Sequence, residues 1–242
     1  MKQKQTPEWV KYLLTYFFIF TFLVSGYYGI ISQNNLGFAF LMWIIFFYCA
    51  VFIFLQGHAI SHNHFKGNRT YNRILGNIIM FLIGPMTFQK WTKLHLNHHK
   101  NLFTTEDSDF HGKTPKSGFD YYDTIVHAYK QRWTVITNVI IALCLAYWLQ
   151  QNFFWVFGFI MTGKVFTSYA ITIIGGYMPH YVQWYDETKI PKWLSVLLSL
   201  GNFNHIAHHK YPSVYSMDLP YIELGEADKY KFYSKENQPK PQ

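Results

Sequence analysis

Residues 36–55 read LGFAFLMWIIFFYCAVFIFL, twenty positions without a charged side chain. At about 1.5 Å per residue, a helix of that length covers the roughly 30 Å hydrocarbon core of a bilayer. Upstream, Tyr12 to Ile31 is another uncharged stretch, separated from the first only by Ser32, Gln33, Asn34 and Asn35, so the two are expected to form a helical hairpin. A secretory signal fits the first stretch poorly, because its apolar region is too long and no small-residue cleavage site follows. A third span is expected over 135–149 and a fourth over 153–178. Lys164 interrupts the fourth. A lysine at mid-bilayer costs about 2.5–3.5 kcal/mol, so it is expected to snorkel or to mark the outer end of a shorter helix. Ile74 to Phe88, broken by Gly84 and Pro85, is expected to dip into the interface without crossing.

The composition agrees once it is read by segment. Of 242 residues, 50% are hydrophobic, 21% aromatic and only 14% charged, which excludes a disordered chain. A mean hydropathy of −0.02 conceals long apolar stretches alternating with polar ones. Four spans place all but Lys164 of the 21 lysines and arginines on one side, which the positive-inside rule makes cytoplasmic, together with both termini. The expected architecture is an all-α integral membrane protein, a single domain over 1–242. Its four transmembrane helices carry a cytoplasmic helical cap built from 56–133 and 179–242. Within that cap, Ile190 to Leu200 has the amphipathic spacing of a helix lying on the membrane. The net charge of +8 comes from scattered lysines and suits anionic lipid better than nucleic acid. Cys49 and Cys144, the only cysteines, lie in apolar runs and exclude a disulfide framework or a thiolate-held cluster.

Twelve histidines occur, and eight form three tight groups on the cytoplasmic side: His58 and His62; His95, His98 and His99; His205, His208 and His209. The first is H-x-x-x-H and the others are H-x-x-H-H. On a helix, residues three or four apart share a face, which lets two or three imidazoles converge on one ion. Eight imidazoles suffice for two ions, and imidazole suits iron, zinc, copper and nickel alike, so spacing leaves the metal open. The His-Glu-x-x-His pattern of zinc proteases and the Glu-x-x-His pairs of soluble carboxylate-bridged di-iron bundles are both absent.

These groups resemble the histidine boxes of the membrane fatty acid desaturases and of the related carotenoid hydroxylases and ketolases. The likeness runs from Tyr12 to about Pro220. His58-Ala59-Ile60-Ser61-His62 is similar to the first box, followed by the basic segment Asn68-Arg69 and Asn72-Arg73-Ile74-Leu75-Gly76. His95-Leu96-Asn97-His98-His99 is similar to the second, trailed by the acidic run Thr104-Thr105-Glu106-Asp107-Ser108-Asp109. His205-Ile206-Ala207-His208-His209, with Tyr211-Pro212 and Leu219-Pro220 behind it, is similar to the third. Gly176-Tyr177-Met178-Pro179-His180 resembles the segment where the family carries an extra ligand, which makes His180 a ninth candidate. His64 is expected outside the ligand set, and His111 and His127 in solvent. Ala59, Gly176, Lys210 and Tyr215 depart from the pattern of particular subfamilies without removing a ligand.

The resemblance implies that the eight box histidines are catalytic and, with His180, hold two irons. It further implies that O₂ is a co-substrate and that hydrogen is taken from a lipid hydrocarbon chain, most simply as a fatty acyl desaturase. A carotenoid or lipid hydroxylase or ketolase uses the same scaffold. Phe47, Tyr48, Phe52 and Phe54 are candidate lining residues at the end of the second span. No cytochrome b5-like His-Pro-Gly-Gly motif is present, so electrons are expected from a separate ferredoxin or cytochrome b5-like donor, with Lys229, Lys231 and Lys235 as docking candidates. Two other classes compete. A membrane zinc hydrolase would use Asp107 or Asp109 as base, and a metal transporter would place its ligands inside the spans.

Overall fold

In a computed structural model of the chain, residues 5–83, 87–102, 104, 106–108, 115–128, 132–182, 186–201 and 203–222 are described. Gly84, Pro85, Asp109, His111, Lys229, Lys231, Lys235 and the side chain of His127 lie outside them. The protein is all-helical, with no strand among the described residues.

Helices α1 (Glu8–Ile31) and α2 (Leu36–Ser61) form the expected hairpin. Asn35 ends the turn and caps α2, its side chain accepting from Phe38 N–H at 3.2 Å. The two helices meet through aromatic pairs: Phe22 stacks on Phe46 with centroids 4.2 Å apart, and Phe18 meets Phe52 at 4.6 Å. Helix α7 (Phe153–Thr172) completes the bundle and runs in the same direction as α2. Its first turns sit by the hairpin turn, where Trp155 Nε1 donates to the Ile30 carbonyl at 2.9 Å, and Trp43 Nε1 donates to Thr162 Oγ1 at 3.0 Å one level along. Helix α6 (Arg132–Leu149) lies antiparallel to α7 across a three-residue connection in which Asn152 caps α7.

Three helices, Glu8–Ile31, Leu36–Ser61 and Phe153–Tyr181, are long and apolar enough to cross a membrane, while the apolar part of α6, Ile136–Leu149, is shorter. Lys164 differs from expectation. It neither snorkels nor ends a helix; its Nζ donates to Asn138 Oδ1 of α6 at 2.8 Å, so a neighbouring helix solvates the ammonium inside the bundle.

The remaining helices gather at the far end of α2. Helix α3 (Arg69–Ile83) is amphipathic, burying Leu75, Ile79, Met80 and Ile83 while Tyr71, Ile74, Ile78 and Phe81 stay exposed. Helix α4 (Phe88–Lys100) comes next, capped by Thr87. The short helix α5 (Gly118–Ala128) packs against the end of α7. There a π-helical turn over Ile173–Tyr177 leads into α8 (Met178–Tyr181). One extra residue in that turn rotates α8 by about 100° relative to an unbroken helix. Helix α9 (Lys192–Ser199) ends in two left-handed residues, Leu200 at φ 47° and Gly201 at φ 83°. A Cβ at Gly201 would run into the Ser216 carbonyl, so this reversal into α10 (His205–Lys210) requires glycine.

The start of α1 fastens this end. Lys11, only 5% exposed, donates through Nζ to the His64 carbonyl at 2.7 Å and to Glu8 at 2.6 Å, and lies over the Tyr215 ring. Tyr215 in turn donates to Gln56 Oε1 at 3.0 Å, and Thr6 Oγ1 to Asp218 at 2.7 Å. Within the bundle, a Cβ at Gly163 would come to 2.6 Å of the Phe46 ring. Gly163→Val should therefore force α7 from α2 and lower stability by about 1–3 kcal/mol. Thermal unfolding in detergent measures this, and an unchanged midpoint would contradict the packing.

Candidate metal centre

Each histidine box sits on a helix end aimed at the same space. His58 is in the last turn of α2 and His62 is its C-cap; His95, His98 and His99 end α4; His205, His208 and His209 occupy α10; His180 lies on α8, turned inward by the π turn. The structure brings all nine together in two groups, His58, His62, His95, His99 and His208 in one, and His98, His180, His205 and His209 in the other. Within each, one ligating atom per residue lies within 4.8 Å of all the others. The groups abut, with His99 stacked on His209 at 4.2 Å between centroids.

The two H-x-x-H-H boxes are divided between the groups in complementary ways. On α4 the i, i+4 pair His95 and His99 faces the first group while His98, about 100° round the helix, faces the second. On α10 the pair His205 and His209 faces the second group and His208 the first. Each helix therefore straddles both positions, which differs from the convergence of a whole box on one ion expected from spacing alone.

Ring-nitrogen distances test whether a cation fits. His95 Nε2 lies 2.8 Å from His58 Nε2, 2.8 Å from His62 Nε2 and 3.1 Å from His99 Nε2. His208 Nε2 is 3.0 Å from His99 Nε2, and in the second group His205 Nε2 is 3.0 Å from His180 Nε2 and 2.9 Å from His209 Nε2. A ring nitrogen carries either one proton or one lone pair, so His95 cannot satisfy three such neighbours by hydrogen bonding. Lone pairs directed at a shared cation can. Nitrogens about 2.1 Å from one ion lie about 3.0 Å apart at right angles and about 3.4 Å apart at the tetrahedral angle. The closest ring-nitrogen pairs in each group, at 2.8–3.1 Å, fall near this range, so the lone pairs of each group can address one cation.

Burial disfavours protonation of His62, His95, His99, His205, His208 and His209. It is the largest cause in every case, helped by neighbouring imidazoles, and it lowers His62 to about 3 and His99 to about 2, with His95, His205, His208 and His209 well below the ordinary range. Neutral imidazole is the ligating form. Trp91 lies flat on His95, 5.0 Å between centroids and 5° from parallel, and itself packs on Phe54, while Phe52 is buried in the bundle.

His64 lies outside both groups. Its Nε2 donates to the Pro212 carbonyl at 2.7 Å, tying the loop after the first box to the tail of the third. Two carboxylates also stand beside the histidines: Asp107 Oδ1 accepts from His98 Nδ1 at 2.8 Å, and Glu187 accepts from Ile206 N–H at 2.8 Å and Ala207 N–H at 3.1 Å. Neither role is visible in the sequence, where Asp107 is one acid in a polar run and Glu187 belongs to no motif. At Gly176 a Cβ would come to 2.8 Å of the Tyr121 ring, so that aromatic side chain occupies the place a longer residue would need.

Residues 36–134 match the family described as fatty acid desaturase. The matched stretch holds the first two boxes; His180 and the third box lie beyond it and join the same two groups in space. Neither the curated proteins nor the solved structures contain a significant match.

Stability should depend on pH. These histidines are neutral when folded but take up protons below about 6.5 when unfolded, so the unfolded state binds more protons and stability falls with falling pH. Glu187, raised to about 7 by burial, acts in the opposite sense but is one group against several. The melting temperature of the metal-free protein should drop steadily from pH 7 to about pH 5; a flat or rising profile would count against the buried cluster.

Proposed function

We propose that this protein is a membrane-bound, O₂-dependent di-iron oxidoreductase that removes hydrogen from a lipid hydrocarbon chain, acting as a fatty acyl desaturase. The observation that carries this reading is the pair of all-imidazole groups, five histidines beside four, at one end of a bundle of apolar helices in a chain whose residues 36–134 match the desaturase family. Two irons held there supply the O₂ activation, with two electrons from a donor, that attack on an unactivated C–H bond demands. The eight box histidines and His180 would hold the metals.

The surroundings suit an apolar substrate. Phe54 and Trp91 wall the first group on the bundle side. Tyr48 donates from α2 to the Leu197 carbonyl of α9 at 2.6 Å, and α9 exposes Trp193, Leu197 and Leu198 beside it. A chain arriving from the bilayer meets this apolar rim before the histidines, which leaves its reacting carbon in a place with little water.

Direction of travel supports four crossings. Helix α2 ends at the histidines and α7 starts at the opposite end of the bundle, and α6, 18 residues and about 27 Å long, is our candidate for the crossing between them. With four crossings both termini and all three boxes share one side, and the distribution of lysine and arginine makes that side cytoplasmic. Electrons then come from a cytoplasmic ferredoxin or cytochrome b5-like protein. The histidines sit at helix ends, against a transporter whose ligands would lie at mid-membrane.

Expression in a host that supplies a redox donor, with mass spectrometry of acyl lipids and of added carotenoid, tests the reaction. The expected product is an acyl chain lacking two hydrogens. Gain of one oxygen would identify the hydroxylase reading, and no change in any lipid would contradict both. His208→Ala should reduce product below detection while the protein still inserts into the membrane; undiminished product would remove His208 from the site.

A further inference from the structure

The two histidine groups differ in what stands behind them. Asp107 and Glu187 are 3% and 2% exposed; Asp107 bonds a ring of the four-histidine group, and Glu187 bonds the turn of α10 that begins with His205 of that group. Asp107 Oδ1 accepts the His98 Nδ1 proton at 2.8 Å, which fixes the tautomer and leaves the Nε2 lone pair for the group shared with His180, His205 and His209. Glu187 spreads its two oxygens over the N–H groups of Ile206 and Ala207, in the first turn of α10 directly after His205. Asn204 makes no side-chain cap there, because its Oδ1 accepts from Ser195, so the glutamate supplies the capping bonds.

The five-histidine group has no counterpart. Among the described residues, none of His58, His62, His95, His99 and His208 bonds a carboxylate, and the flat neighbour of His95 is the Trp91 indole. An imidazole that donates to a carboxylate is a more basic ligand, and a negative charge beside a cation counts for more where water is excluded.

Resting on the metal-centre reading of the histidines, we propose that Asp107 and Glu187 are positioning residues for the same metal position, the four-histidine one, and make the two-metal centre electrostatically unequal. One ion rests on neutral imidazoles alone. The other has two carboxyl groups behind its ligands, and a cation bound there draws them toward the ionised form, which favours the higher charge state.

Stepwise cobalt(II) titration of the metal-free full chain in detergent, monitored by absorbance and metal count, reads this without turnover. Wild type takes up two ions. Asp107→Asn, which keeps an acceptor for His98, should weaken one of them by about 10–100-fold and leave the other unchanged. Glu187→Gln should weaken the same ion, and Asp107→Glu should restore most of the loss. In a His62→Ala background, which impairs the five-histidine group, the ion that remains should still respond to Asp107→Asn. Equal weakening of both ions, different ions struck by the two variants, or no effect from either would overturn the proposal. Should Asp107→Asn fail to fold, Glu187→Gln alone must still strike a single ion. A wild-type chain that binds no cobalt would instead overturn the metal-centre reading beneath it.

Discussion

Nine imidazoles, five buried and four half-buried, crowd their ring nitrogens together and cannot all satisfy one another, and the rest of the structure is arranged around that constraint. Each ring has one proton and one lone pair to share, yet His95 alone meets three ring nitrogens at 2.8–3.1 Å. Protonation is no escape, because neighbouring imidazoles and burial both oppose it. Cations among the lone pairs would resolve the conflict. They would also explain why a chain without a thiolate cluster concentrates so many histidines at the end of an apolar bundle.

Holding those rings takes elements far apart in sequence. The aromatic seam between α1, α2 and α7 sets where the ends of α2 and α7 emerge, and the π turn rotates His180 into place. The start of α1 then bridges the loops after the first and third boxes, through Lys11 on the His64 carbonyl and Thr6 on Asp218. His64 closes the same circuit by donating to Pro212. These bonds are individually worth about 1 kcal/mol. Their use lies in relating box one to box three, because His208 belongs to the group built mainly from boxes one and two.

Much of this was legible in the residues. An uncharged run such as 36–55 can only be a buried or membrane helix, and i, i+4 histidines share a face wherever the helix goes. The nine candidates chosen by spacing and family likeness are the nine that meet. Other features depend on tertiary contact. No local signal distinguishes His98 from His99, and their assignment to different groups is set by how α4 and α10 cross. Asn138 becomes the partner of Lys164 only through helix packing. Asp107 and Glu187 acquire roles from rings and amides that lie elsewhere in the chain. The π turn is likewise unmarked beyond Gly175 and Gly176.

Metal analysis of the purified full-length protein, combined with X-ray absorption at the metal edge, tests the central claim most directly. Two irons per chain with only nitrogen and oxygen ligands is the result this account predicts. A single zinc, sulfur in the ligand shell, or a chain that purifies folded and active without metal would contradict it.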